Sequence, residues 1–150
     1  MALDDHIHIL SGVRLFESFT PEQLRLLAFG AESLRLPAGK KLYREDDDAD
    51  SAYIVTKGTL GLYRDHDDQH VQVGTAEPGT MLGELSLIAD SKRRTSAEAI
   101  SDAEVLRINR SMFRRILEEY PETAETLQAQ IIEDLQSLIR RIERIGERLG

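Results

Sequence analysis

At 150 residues with 41% apolar side chains, the chain is long enough to bury a real core and short enough to be one domain. It has no cysteine, which excludes disulfides, thiolate metal sites and a cysteine nucleophile. A formal charge of −8 argues against a nucleic-acid backbone as partner, which asks for a basic face. No apolar run approaches a membrane span, and M-A-L-D-D-H at the start carries no secretory signature, so the expected location is the cytoplasm.

Residues 3–15 are predicted to form a helix, with Leu3, Ile7, Leu10 and Val13 or Arg14 on a common side. Phe16 and Phe19 follow. Thr20-Pro21-Glu22-Gln23 predicts a helix start, with Thr20 as N-cap, Pro21 at the first helical position and Gln23 completing a capping box. Leu24, Leu27 and Ala28 carry the apolar face until it stops near Gly30. His6 and His8, spaced by two with no third ligand, read as surface residues rather than a metal site.

From Ser33 the period becomes two. Leu34 and Leu36 alternate, Pro37-Ala38-Gly39 turns, and Leu42-Tyr43 opens the next strand. Glu45 to Asp50 is an acidic loop, E-D-D-D-A-D. Asp46, Asp48 and Asp50 alternate as in a calcium loop, but Ser51 stands where that loop needs glycine and Lys57 where it needs glutamate. Tyr53-Ile54-Val55 and Thr59 to Arg64 are strands about a Lys57-Gly58 turn. Asp65 to Gln69 is a polar tip and Val71-Gln72-Val73 the returning strand, which makes a meander of hairpins. His66 and His70, beside aspartates at that tip, are read as solvated rather than metal-binding. Glu77-Pro78-Gly79 is a further turn.

Gly83 to Ala99 reads G-E-L-S-L-I-A-D-S-K-R-R-T-S-A-E-A. Leu85, Leu87 and Ile88 suit a short helical turn, Asp90-Ser91-Lys92 breaks it, and two arginines lead into small residues alternating toward Ala97 and Ala99. A helical turn, a cationic loop and a strand make an anion cradle. The opening N–H groups of the turn lack partners inside it, and a guanidinium grips two oxygens at once. Glu84 adds a carboxylate that only accepts hydrogen bonds, so the site asks for one anionic group with a hydroxyl nearby.

Ile100 to Ile108 is strand about a Ser101-Asp102 turn. Asn109 caps a helix carrying Phe113, Ile116 and Leu117, and Pro121 begins another. From Glu122 to Leu149, Leu127, Ile131, Leu135, Leu138, Ile142, Ile145 and Leu149 recur by fours and threes, a coiled-coil-like seam. About 28 helical residues at about 1.5 Å each reach about 42 Å, beyond what one small domain covers, so a homodimer through Leu127–Leu149 is expected. Arg140, Arg141, Arg144 and Arg148 lie among Glu143 and Glu147, a solvated face rather than a binding patch.

L-G-E-L-S-L-I at 82–88 and K-R-R-T-S-A-E-A at 92–99 resemble the phosphate-binding cassette of the cyclic nucleotide-binding domain family, found in catabolite activator protein and in regulatory subunits of cyclic-AMP-dependent protein kinase. The family pattern is roughly F-G-E-L-A-L-I, a short loop, then P-R-A-A-T-V-x-A. The G-E-L triplet, the gap to the arginine and the gap from Arg93 to Ala99 agree. Y-I-V-x-x-G at 53–58 also matches, and Glu45 to Tyr53 fits E-G-D-x-x-D-x-x-Y with Asp46 in place of glycine. Lys92 stands where proline is usual, an exchange expected to loosen the loop. The likeness runs from about Phe16 to Leu149.

The resemblance implies one α+β domain over residues 1–150. N-terminal helices fill 1–32, an eight-stranded antiparallel, jelly-roll-like β-roll fills 33–109 with its cassette at 82–96, and C-terminal helices fill 110–150, the last of them long. It implies that Glu84 takes the ribose 2′-hydroxyl and Arg93 the cyclic phosphate. Gly83, Leu85, Ser86, Arg94 and Thr95 surround them, and Leu135, Leu138 or Ile139 of the long helix cover the base. Alternation puts Arg93, Thr95, Ala97 and Ala99 on one face, with Arg94 pointing away. In relatives preferring cyclic GMP a threonine commonly follows the phosphate arginine. Here Arg94 does, with Thr95 one position off, so cyclic AMP is expected before cyclic GMP, with no metal.

No G-x-S-x-G, G-x-x-x-x-G-K or H-E-x-x-H motif occurs, so no enzyme is expected. The expected function is a cytoplasmic sensor that binds a 3′,5′-cyclic nucleotide and relays occupancy through the C-terminal helix to a protein partner, with neither nucleic acid nor membrane bound. The alternative is a dimerisation domain of the same fold that binds no nucleotide, with Glu84 and Arg93 a mere surface ion pair. In the activator branch a helix-turn-helix follows the long helix. The chain stops at Gly150, which reads as a stand-alone module without one, or as a piece of a longer protein.

Overall fold

The change of hydrophobic period near Ser33 is the boundary between helices and sheet. The computed structural model describes the backbone of residues 2–149 and the side chains of residues 3–137, 139 and 140. Helix α1 (Ala2–Ser11) leads through a 3-10 turn (Arg14–Phe16) to α2 (Pro21–Gly30). The first helix stops short of residue 15. Gly12 and Val13 donate to the carbonyls of Ile9 and Leu10 at 3.1 Å each, a tightened last turn at a residue that weakly supports helix. Helix α2 starts as its sequence predicts. Gln23 N–H donates to Thr20 Oγ1 at 3.2 Å, and Thr20 N–H donates to Gln23 Oε1 at 2.9 Å.

Ten strands follow: β1 (Glu32–Leu36), β2 (Lys41–Tyr43), β3 (Asp48–Ala49), β4 (Ser51–Lys57), β5 (Leu60–His66), β6 (Gln69–Ala76), β7 (Met81–Leu82), β8 (Ser91–Lys92), β9 (Ser96–Ala99) and β10 (Ala103–Asn109). They make two four-stranded sheets, β1-β10-β4-β7 and β2-β9-β5-β6, and a ribbon, β3-β8. The two sheets supply the eight strands of the expected roll, and the ribbon is additional. In it Asp48 pairs with Lys92 and Ala49 with Ser91, and the Lys92 ammonium pairs with the Asp48 carboxylate. Lys92 thus ties this segment to the acidic loop. Helix α3 (Arg110–Glu119) is capped by Asn109, whose Oδ1 accepts from Ser111 and Met112 N–H at 2.7 and 3.3 Å. Tyr120 then breaks the helix ahead of Pro121, at φ −132° and ψ 70°. Helix α4 runs Pro121–Leu149.

Strand β4 reads S-A-Y-I-V with no polar alternation because both its faces are buried. Ala52 and Ile54, with Leu106 and Ile108 of β10, pack on the helical layer against Leu10, Phe16, Leu24, Leu27, Phe113, Leu127 and Ile131. Tyr53 and Val55, with Val105, face the other sheet and meet Leu60, Ala76 and Ala99. The sheet β1-β10-β4-β7 is thus a wall between two cores. Leu127 and Ile131, which open the expected dimer seam, belong to the domain's own core. Ile132 and Ile139 are the exposed large apolar residues of that helix among the described residues. The side chains of Ile142, Ile145 and Leu149 lie outside the described residues.

The second sheet turns its outer side to solvent. Among the described residues its last strand, β6, pairs only with β5 and leaves Val71 and Val73 exposed. Asp67 and Asp68 make the hairpin tip at φ 49° and 64°. His70 sits beside it, Nδ1 2.8 Å from Asp65 and its ring stacked on Tyr63 with centroids 4.4 Å apart. Among the described residues no group of three His, Cys, Asp or Glu is arranged to hold a metal.

Candidate ligand-binding site

Gly83, at the end of β7, takes φ 78° and ψ 33° and opens a 3-10 turn, Glu84–Leu87. A side chain here would be strained in that conformation. Its Cβ would also lie 2.4 Å from Arg93 Nη1, so glycine is needed twice over. Inside the turn Ser86 N–H donates to Gly83 O at 3.0 Å, as does its hydroxyl. The turn's own N–H groups left without such a partner are those of Glu84 and Leu85. Leu87 is buried in the helix-side core, with Leu85 and Ile88 packed against it.

Arg93 lies between β8 and β9, and the acidic loop holds its backbone. Arg93 N–H donates to Asp47 O, and Asp46 N–H donates to Arg93 O, both at 2.8 Å. Asp46, standing where the family pattern has glycine, has φ 71°, a conformation aspartate tolerates better than most residues. The Arg93 side chain is 5% exposed. Its Nη2 donates to Ser51 O at 2.7 Å, and Cζ lies 4.4 Å from the Tyr43 ring centroid and 5.2 Å from that of Tyr53. Nε and Nη1 are buried with no acceptor among the described residues. A buried cation with idle donors is costly unless an anion meets it. Arg94 is exposed at the rim. Burial, the largest effect, holds the Tyr43 phenol above its usual range, while the Arg93 guanidinium beside it pulls the other way.

These groups line one cavity of about 780 Å³. Gly83, Glu84, Leu85, Ser86, Lys92, Arg93, Arg94 and Thr95 contribute from the cassette, and Ile131, Asp134 and Leu135 from α4. Leu135 is therefore placed over the cavity. Ile139 is exposed and does not line it, and Leu138 lies outside the described side chains. Glu84 Oε1 is buried without a donor among the described residues. Burial first, and the Asp134 carboxyl second, push the Glu84 carboxyl up to about 7, while Arg14 pulls it down. At the mouth Arg64 Nε pairs with Glu45 Oε1 at 3.0 Å.

Several participants carry no local signal in the sequence. Ser51 reaches Arg93 through its carbonyl, which any residue would supply. Tyr43 and Tyr53 reach it only through the roll's register, and Asp134 only through the path of α4. Arg110, the first residue of α3, donates through Nε to Ser86 O and through Nη2 to Ala49 O, both at 2.7 Å, and pairs with Asp90. It joins the cassette turn to the helical layer.

Residues 33–120 match the model of the cyclic nucleotide-binding domain. A solved structure described as a cyclic nucleotide-binding-like protein from Brucella abortus is 56% identical, with a TM-score of 0.72, covering 77% of this chain and 99% of that one. The cyclic AMP receptor protein of Thermus thermophilus is 28% identical over 128 residues, which are 85% of this chain and 59% of that protein. A lysophospholipase of Aspergillus fumigatus is 27% identical over 136 residues, 90% of this chain and 9% of that enzyme. The chain thus spans under two thirds of the curated relatives it matches.

Proposed function

The chain belongs to the cyclic nucleotide-binding domain family, and we propose that it is a cytoplasmic sensor module for a 3′,5′-cyclic nucleotide, cyclic AMP before cyclic GMP. The observation that carries this reading is Arg93, a buried guanidinium with Nε and Nη1 idle at the cavity wall. A cyclic phosphate offers one negative charge and oxygen acceptors for these idle donors. Glu84, on the same cavity, is the acceptor for a ribose hydroxyl. Ile131 and Leu135 supply the apolar cover for a base.

Cyclic AMP is preferred because Arg94, not threonine, follows Arg93, and Thr95 stands one position off. Output runs through α4, whose Ile131 is in the helix-side core while Asp134 and Leu135 touch the cavity. No helix among the described residues is long and apolar enough to cross a membrane. The match to the lysophospholipase spans 9% of that enzyme and brings no hydrolase chemistry to this chain.

The test is titration with a fluorescent cyclic AMP analogue, followed by competition with unlabelled cyclic AMP and cyclic GMP. Saturable binding that Arg93→Ala weakens by about 2–5 kcal/mol, in a variant that still melts cooperatively, supports the reading. An unmodified protein that binds neither nucleotide overturns it in favour of an interaction domain, and tighter cyclic GMP binding overturns the base preference.

A further inference from the structure

The partners of Arg93 differ in kind from those of the other arginines near it. Arg107 and Arg110, each half-buried, spend donors on carboxylates: Arg107 on Glu32 and Asp50, Arg110 on Asp90. Arg93 is more deeply buried than either, yet makes no ion pair among the described residues. One donor, Nη2, goes to Ser51 O at 2.7 Å. The charge otherwise rests on two rings. Tyr43 of β2, its centroid 4.4 Å from Cζ, lines the cavity. Tyr53 of β4, at 5.2 Å, belongs to the core between the sheets. Each sheet thus supplies one ring, with centroids 5.9 Å apart and planes at 31°. Gly83 closes on Nη1 from the cassette and leaves no room for a Cβ.

A buried guanidinium that must grip an anion poses a conflict. Left alone it is costly, yet a carboxylate partner would cancel its charge and take the N–H donors that the anion needs. An aromatic face attracts the cation and, when the two stack, leaves the in-plane N–H groups free. Resting on the cyclic-nucleotide reading of this site, we infer that Tyr43, backed by Tyr53, is a positioning residue for Arg93: its ring holds the cation in the cavity wall in place of a counter-ion and keeps Nε and Nη1 unspent for the ligand phosphate. The Ser51 carbonyl holds Nη2, so ring and carbonyl together fix the plane of the guanidinium and its rotation within that plane. Burial holds the Tyr43 phenol above its usual range, so the side chain is uncharged at neutral pH and acts through its face. The ring is needed for this role and the hydroxyl is not.

The test uses Tyr43→Leu, Tyr43→Phe and Arg93→Met in the whole chain. In titrations with a fluorescent cyclic AMP analogue, Tyr43→Leu is expected to weaken binding about tenfold and Tyr43→Phe by less than about threefold. In urea unfolding without nucleotide, Tyr43→Leu should lower the midpoint more in the unmodified chain than in the Arg93→Met chain, where no cation needs support. A Tyr43 that merely fills space would lower both alike. Should Tyr43→Leu fail to unfold cooperatively, Tyr43→Met takes its place in both measurements. Unweakened binding by the non-aromatic variant, a Tyr43→Phe loss as large as its own, or equal midpoint shifts in the two backgrounds overturns the inference and leaves the nucleotide reading standing. No binding by the unmodified chain overturns the nucleotide reading itself, and the urea comparison then decides alone whether Tyr43 holds Arg93.

Discussion

Arg93 and Arg94 are adjacent and alike in sequence, and the fold treats them oppositely. Arg93 is buried against Tyr43, Tyr53 and Ser51 O, whereas Arg94 is exposed at the rim. Arg94→Ala is accordingly expected to change nucleotide affinity by less than about 1 kcal/mol, in the range of exposed charges; an Arg94→Ala loss as large as that of Arg93→Ala would reverse the assignment. Gly83→Ala puts a methyl into both a left-handed conformation and the Arg93 guanidinium. It should cost about 1–3 kcal/mol in stability and displace Arg93, so thermal melting and titration should both report loss. That Gly83, Glu84 and Arg93 share a site was legible from their spacing, because a turn and the loop after it are close in sequence. That Ser51, Tyr43 and Asp134 join them was not, since sheet register and helix path set those contacts.

The local grammar of the helices was equally legible. The Thr20 capping box, the Asn109 cap and the break before Pro121 all depend on residues within four of each other. The long helix was legible as a helix but not as two functions in series. Leu127 and Ile131 seal the domain core, Asp134 and Leu135 face the cavity, and Ile132 and Ile139 stand exposed seven residues apart on the same element. A single apolar period cannot distinguish burial by one's own domain from burial by a second copy. Dimerisation through this helix is therefore best probed at the exposed pair. Ile132→Glu with Ile139→Glu should convert a dimer to a folded monomer in light scattering and leave the melting temperature nearly unchanged. A monomeric unmodified protein removes the dimer.

At the scale of the molecule, the wall of β4 and β10 joins the cassette to both cores. Leu87 enters the helix-side core directly, and Arg110 fastens Ser86 O to the start of α3. Ligand seated on Arg93 and Glu84 is expected to shift the turn and, through these contacts, the helices. The shift is limited by the ligand's preference between the two arrangements. Hydrogen exchange with and without cyclic AMP should show protection rising in residues 83–96 and changing in residues 127–149. Protection confined to the cassette would make the protein a binder without this output.

The open flank of β6 has a consequence for handling the protein. Eight residues of strand end with one ladder edge unpaired, and Val71 and Val73 stand exposed along them. Such an edge is a template for strand addition by another chain. The register shift between Leu62 and Tyr63 twists the hairpin and partly blunts it. The net charge of −8 keeps molecules apart at low salt, and that repulsion is screened as salt rises. Turbidity at high protein concentration should therefore grow with ionic strength. Val73→Lys should suppress it while leaving nucleotide titration unchanged; unaltered turbidity in that variant would put the sticking surface elsewhere.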